Sequence, residues 1–323
     1  MIRAETIEAA AYEIMFRAAI DIPDDYKSGV RSMIDTERGE LSAFVLEAML
    51  ENWQAASEDR RPMCADSGLP RYYVKLGNEA VAHLDGGFVE LERRLRRATA
   101  RATHDIPLRP NRVHPLSRRD NGNNVGMNAP EITYSFEPGA NWIDITAVHK
   151  GGLFGTDYRM LFPGDGIDGI KRFFLDVLYA FGKRGLACQP AIVGIGLGGS
   201  KDSAMVLGKE AACLRPVGSR HPDPAIADLE DELKALGNRT GLGAMGFEGT
   251  STVVDCMIEI GYTHTGGMPM SVHCFCLSSR RATARIEADG TVGYRTDPMW
   301  FTPYMRRDTV DWAVAVRSGE AAE

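Results

Sequence analysis

The six cysteines pose the first chemical question. Cys64 lies in PMCADSGLP, Cys188 in GLACQPAIV, and Cys274 and Cys276 in SVHCFCLSSRR. These segments carry Pro, Gly or Ser, or close an apolar run, and loops of that kind carry function on α/β scaffolds. Cys213 falls in a helical run and Cys256 mid-strand among apolar neighbours, so both read as small buried hydrophobes. No Cys-x-x-Cys pair exists, which removes the usual signature of structural zinc, although His273, Cys274 and Cys276 leave a local metal reading open. Three isolated thiols suit an iron–sulfur cluster assembled only by the fold. Three thiolates on four irons leave one iron open as a Lewis acid toward a substrate hydroxyl and carboxylate. Plain core packing is the rival for each cysteine.

A second constellation is Gly194, Gly196 and Gly199, a G-x-G-x-x-G spacing after a strand-like run and before a helix starting near Ser200. A helix start favours an anion, with Ser200 and Lys201 as its candidates. A dinucleotide site also requires an acid about 20 residues on, and AACLRPVGSR (211–220) offers none. An NAD(P)-dependent oxidoreductase, a ligand-free tight turn and a carboxylate pocket all stay open at this point.

The elements that must position these residues fall in two parts. Residues 1–57 read as a helical layer: Ile7, Ala10, Ala11, Ile14 and Ala18 recur at helical steps, and a second stretch opens at Pro23 and runs through Leu50. From 58 to 323 the pattern is mixed α/β, with strands expected at 71–76, 142–148, 191–196, 251–260 and 269–276. Helices are expected at 166–183, 201–213 and 223–236, and a hairpin-like stretch follows at ARIEADGTVGYRTD. The fold class is therefore α/β (α+β), read as a single domain over 1–323. On LERRLRRATAR (91–101), Arg93, Arg97 and Arg101 share a helix face, read as solvated or paired to acids of a neighbouring subunit.

The 44% hydrophobic content excludes wholesale disorder, and a net charge of −7 argues against nucleic-acid binding. No run reaches the roughly 18 apolar residues that span a bilayer, and the acidic N-terminus lacks a signal-peptide pattern. The chain is expected to be cytoplasmic, with no membrane partner, so its cysteines are expected as thiols or ligands.

Six motifs in order resemble the α part of the class I fumarases and L-tartrate dehydratases, the iron–sulfur hydro-lyases, over roughly residues 4–286. CADSGLP is similar to the family's Cys-Gln-Asp-Thr-Gly, and LRPNRVHPLSRRDNGNN to its Leu-Arg-Pro…Asn-Thr-Gly-Asp-Asn run. HKGG resembles the Lys-Gly-Gly-Gly loop, ACQPAIVGIGLGG the Cys-Pro-Pro…Gly-Gly stretch, and GLGAMGFEGTSTV the Gly-Pro-Met-Gly-Phe-Gly-Gly loop. THTGGMPMSVHCFCLSSRRA resembles His-Thr-Ala-Ser-Leu-Pro…Cys…Arg-Arg. Departures cluster at Ala65, at FGTD (154–157), and at Glu248 and Thr250.

The resemblance implies a [4Fe-4S] cluster on Cys64, Cys188 and Cys276, with His264 and Asp66 as catalytic residues. Substrate contacts would come from Arg109, Asn124, Lys150, Gly151 and Gly152, while Cys274 keeps no assigned role. The substrate would be a small 2-hydroxy dicarboxylate, malate- or tartrate-like. The family's catalytic base lies in a second, C-terminal domain, so the resemblance further implies a separate β subunit and an α2β2 assembly. A non-catalytic metal-binding homologue is the alternative.

Overall fold

The helical N-terminal layer consists of α1 (Ala4–Ile20), α2 (Asp24–Ile34) and α3 (Glu40–Glu58), seen in a computed structural model that describes residues 1–151, 155–184, 188–276 and 278–301. All five periodic residues of α1 are buried. Pro23 caps α2, whose first turn holds Asp24 and Asp25 at the positive end of the dipole. The expected single stretch from Pro23 through Leu50 is broken at 35–39 by a tertiary contact. Glu37 turns its carboxylate onto the N–H groups of Arg38 and Gly39 at its own turn, and of Thr250 and Ser251 far along the chain.

The remaining elements are β1 (Leu69–Gly77), α4 (Gly87–Asp105), β2 (Glu131–Glu137), β3 (Trp142–Lys150), β4 (Thr156–Leu161) and α5 (Gly166–Lys183). They continue with β5 (Ala191–Gly198), α6 (Lys201–Leu214), α7 (Pro224–Asn238), β6 (Val253–Gly261), β7 (Met268–Phe275), β8 (Arg280–Glu287) and β9 (Val292–Arg295). The fold class is α/β as expected. One sheet has the order β2-β1-β3-β8-β9 and the other β4-β7-β5-β6; only β1/β2 and β5/β6 run parallel.

Period-2 alternation sorts the side chains of β1. Tyr72, Val74 and Leu76 join α1 and α4 in one apolar core, whereas Arg71, Tyr73 and Lys75 lie on the other face. A middle core unites α2, α3 and the end of α6 with Tyr73, Val148, Ile192 and Phe275. A third packs α5 and α7 on the far face of the second sheet, where Met270, Val272 and Cys274 alternate inward. The basic run of α4 is tied down within the chain. Arg94 pairs with Glu5, Glu8 and Glu90, and Arg101 stacks on Tyr12 at 3.9 Å.

The glycine fingerprint has a packing explanation. A Cβ on Gly194 would collide with the backbone of Gly208 and Ala212, and one on Gly196 with the carbonyl of Ala204. Both glycines let α6 lie directly on β5, which accounts for their spacing without a dinucleotide.

Candidate active site

Five strand ends from two sheets meet at one place. β1 begins at Leu69, opposite Lys150 at the end of β3, and His149 pairs with Arg280 at the start of β8. From the second sheet, Ile192 near the start of β5 pairs with Phe275 at the end of β7. Cys64 and Asp66 precede β1, Cys188 precedes β5, and Cys276 follows β7. The topology thus gathers three cysteines that are up to 212 positions apart in sequence.

The thiols feel one another. Cys188 is exposed at its residue surface, yet its thiol is pushed up to about 11, first by desolvation and then by Cys276, Cys64 and Asp66. Burial raises Cys276, with Cys64 adding to the rise and the guanidinium of Arg280, the Ser278 N–H and Lys150 opposing it. A set of thiols that resists ionisation this way ionises readily only against added positive charge.

Arg280 supplies part of that charge. It is 1% exposed and donates to the carbonyls of Asp66 (3.0 Å) and Ser278 (3.1 Å), tying the Cys64 and Cys276 segments together. Gly151 packs on the same sulfur: a Cβ there would collide with Cys276 Sγ. Lys150 is buried and donates to the carbonyls of Gly151 (2.9 Å) and Cys274 (2.7 Å), so its ammonium fixes the backbone beside the thiols. Tyr26, from α2, donates its hydroxyl to Pro190 O at 2.9 Å. Burial, then Cys276 and Cys188, raise that phenol well above its ordinary range.

Asp66 accepts from Asn111 Nδ2 (2.7 Å) and from the Gly68 N–H (3.1 Å). This anchors the loop of Arg109, whose own N–H donates to Ser67 Oγ at 2.8 Å while its residue surface is exposed. Asn124 is buried, and its amide is committed to the chain itself. It donates to Thr103 Oγ1 and Arg109 O and accepts from the Arg112 N–H. Its part in the site is therefore to hold Arg109 in place. Gly152 lies outside the described residues.

The structure does not bring His264 to the thiols. It precedes β7 and Cys276 follows it, so the eight-residue strand separates them by about 25 Å. His264 instead shares the opposite end of the second sheet with Ser200 and Lys201, where Thr263 Oγ1 bonds Gly199 O. Ser200 caps α6 through a reciprocal contact with Ser203, and Lys201 sits over the Tyr158 ring at 4.9 Å. Cys213, Cys256 and Cys274 are buried in apolar clusters, and desolvation pushes Cys274 up to about 12.

The residues missed by the sequence reading are Arg280, Tyr26 and Glu37. Arg280 stood in plain view in SSRR, beside the third cysteine. Tyr26 and Glu37 gave no local signal, because their roles come from partners 164 and about 214 positions away. Glu37 shapes the site indirectly. It binds Ser42 Oγ, which receives the Ala244 N–H, and the neighbouring Met245 N–H reaches Gln189 O beside Cys188. Burial would raise its carboxyl, but this set of donors holds it down at about 2.

Among the described residues no three His, Cys, Asp or Glu side chains close on a single ion. A cubane cluster places each thiolate on a different iron, and so takes ligands set wider than a mononuclear site does. The donor set fits such a group. It has three cysteine sulfurs from three segments, a glycine with no side chain against one of them, and a buried arginine that has no carboxylate partner among the described residues.

A family model described as fumarate hydratase (Fumerase) matches residues 8–285. The putative L(+)-tartrate dehydratase subunit alpha of Methanocaldococcus jannaschii is 38% identical over 288 residues, 88% of this chain and 98% of that protein. The L(+)-tartrate dehydratase subunit alpha of Escherichia coli K12 is 32% identical over 273 residues, covering 84% of this chain and 87% of the relative. The corresponding protein of Shigella boydii matches to the same extent.

Proposed function

Since the chain belongs to the fumarate hydratase (Fumerase) family, we propose that it is the α subunit of a [4Fe-4S]-dependent hydro-lyase. Its substrate is a small 2-hydroxy dicarboxylate of the malate or tartrate type. The observation that carries the reading is the convergence of Cys64, Cys188 and Cys276 at five strand ends around a buried arginine that has no acidic partner among the described residues. The relatives' names as subunits alpha support a β partner, here taken to complete an α2β2 enzyme.

When bound, the cluster supplies an open Lewis-acidic iron for a hydroxyl and a carboxylate. This chain's own residues do the rest. Cys64, Cys188 and Cys276 hold the group, and Arg280 holds two of their segments at fixed separation. Asp66, two residues after Cys64, has one carboxylate oxygen steadied by Asn111 and the Gly68 N–H, and its other oxygen would contact the substrate. Arg109 offers a guanidinium for bidentate capture of a substrate carboxylate, on a backbone pinned by Ser67 and Asn124. Gly151 would offer its backbone to a substrate carboxylate, while its missing Cβ leaves room for Cys276 Sγ. Water is eliminated when a proton leaves the carbon next to the second carboxylate, and that base is assigned to the β subunit. His264 is left outside this set by the length of β7.

The test is anaerobic co-expression with the β subunit, followed by hydratase assays on malate, fumarate and both tartrate enantiomers. Activity is expected from the pair and absent from either chain alone, and Arg109→Met should lower kcat/KM at least tenfold, the loss of one charged carboxylate contact. Activity unaffected by Cys64→Ser would overturn the assignment.

A further inference from the structure

A second charged site lies in the seam between the first sheet and α6. Arg71 and Tyr73 of β1, Thr133 of β2, and Lys209 and Glu210 of α6 line a cavity of about 80 Å³. Arg71 is 8% exposed, and its guanidinium makes one side-chain hydrogen bond, to Thr133 Oγ1 at 3.3 Å, while it stacks on the Tyr73 ring at 4.6 Å. Its Nε is buried without a partner. Among the described residues neither Arg71 nor Lys209 has a carboxylate within ion-pair distance. The nearest acid across the register, Glu131, is engaged by both terminal nitrogens of Arg112.

A buried cation is retained only where something balances it. Glu210 is the one acid among the described residues that line the cavity; desolvation, opposed by Trp300 and Arg71, raises its carboxyl to about 7. Burial followed by Arg71 lowers the Lys209 ammonium, so near neutrality the buried Arg71 is matched by only part of one negative charge. We propose that this seam binds a small anion, of halide size or a single carboxylate group, as the counter-ion of Arg71 and Lys209. The anion would accept from the idle Nε of Arg71 and from the Lys209 ammonium, and it would bridge β1 to α6 where the two sheets' layers meet. A cavity of about 80 Å³ has room for an ion of a few atoms. This inference does not depend on the cluster or on the hydro-lyase reading.

The test is thermal unfolding of the full chain at constant ionic strength, with sodium chloride or sodium formate replacing sodium gluconate. The midpoint is expected to climb with the logarithm of chloride or formate concentration, as ligand linkage requires. That climb should flatten in Lys209→Gln and vanish in Arg71→Gln. A climb in chloride identifies a halide site, and one in formate alone a carboxylate site. Should Arg71→Gln fail to fold, broadening of the chloride or formate NMR signal by the unmodified chain, relieved in the half-exposed Lys209→Gln, decides the matter. Equal midpoints in all three salts, or a climb unchanged in Lys209→Gln, would overturn the proposal.

Discussion

Arg215 and Arg280 are both 1% exposed, yet they keep opposite electrostatic company. Arg215, at the end of α6, bonds both carboxylate oxygens of Glu230 and lies 3.5 Å from Glu259. Glu230 in turn receives the N–H groups of His221 and Ile258, so its charge is fully consumed. Among the described residues Arg280 donates to backbone carbonyls alone, and it lowers the proton affinity of the cysteines beside it. The first region is a closed ion pair that specifies how α6, α7 and β6 pack. The second holds a positive charge in reserve for thiolates. Deep burial of an arginine is therefore no guide to its role, whereas the identity of its acceptors is.

That contrast is broken most forcefully at Arg215. Arg215→Met leaves Glu230 buried without its partner and should cost about 3–5 kcal/mol in denaturant unfolding, while iron uptake by the remaining folded protein stays unchanged. A parallel loss of iron uptake would erase the distinction between the regions. Arg280→Met strands no carboxylate and deprives two carbonyls of donors, so its cost should be smaller, about 1–3 kcal/mol. Its signature is instead a several-fold fall in iron retained after anaerobic reconstitution, partly restored in Arg280→Lys. Gly151→Ala sharpens the contrast on the thiol side. Its methyl meets Cys276 Sγ, so stability should fall by about 1 kcal/mol, at the low end of overpacking, with iron retention again reduced.

A pH-dependent effect is expected at Glu37. Its folded carboxyl sits at about 2, below an unfolded value of about 4.3. A depressed acid contributes stability that is fully present above the unfolded value and is lost as pH falls through the folded one. The midpoint difference between the native chain and Glu37→Gln should therefore be largest above about pH 5 and shrink toward pH 2. A pH-independent difference would show that the donors around Glu37, not its charge, carry the effect.

Much of this was legible in the sequence, for identifiable reasons. β5, β6 and β7 are largely apolar runs, β1 alternates with period 2, and α5 to α7 show plain helical spacing, so both classes of element were expected near their observed bounds. The hairpin expected at ARIEADGTVGYRTD is the end of β8 joined to β9. The start of β8 was hidden because one of its faces is charged: Arg281 pairs with Asp25 and Arg285 with Asp144, and a strand with arginines on one interior face does not alternate in hydropathy. β2 and β4 are edge strands with half-exposed faces and little apolar signal. The break at 35–39 was invisible because Glu37 draws its donors from 213–214 positions away. At the site, the cysteines announced themselves by type and setting. The distance of His264 from them did not, since a motif records order along the chain and not the length of the strand between two of its members.

The central claim is that Cys64, Cys188 and Cys276, and no other cysteine, hold the cluster. The direct measurement is iron per chain after anaerobic reconstitution of six single Cys→Ser variants. About 4 irons are expected in the native chain, with marked loss in the Cys64, Cys188 and Cys276 variants and full loading in those at Cys213, Cys256 and Cys274. Uniform iron content across all six, or loss at Cys274 with retention at Cys64, would contradict it.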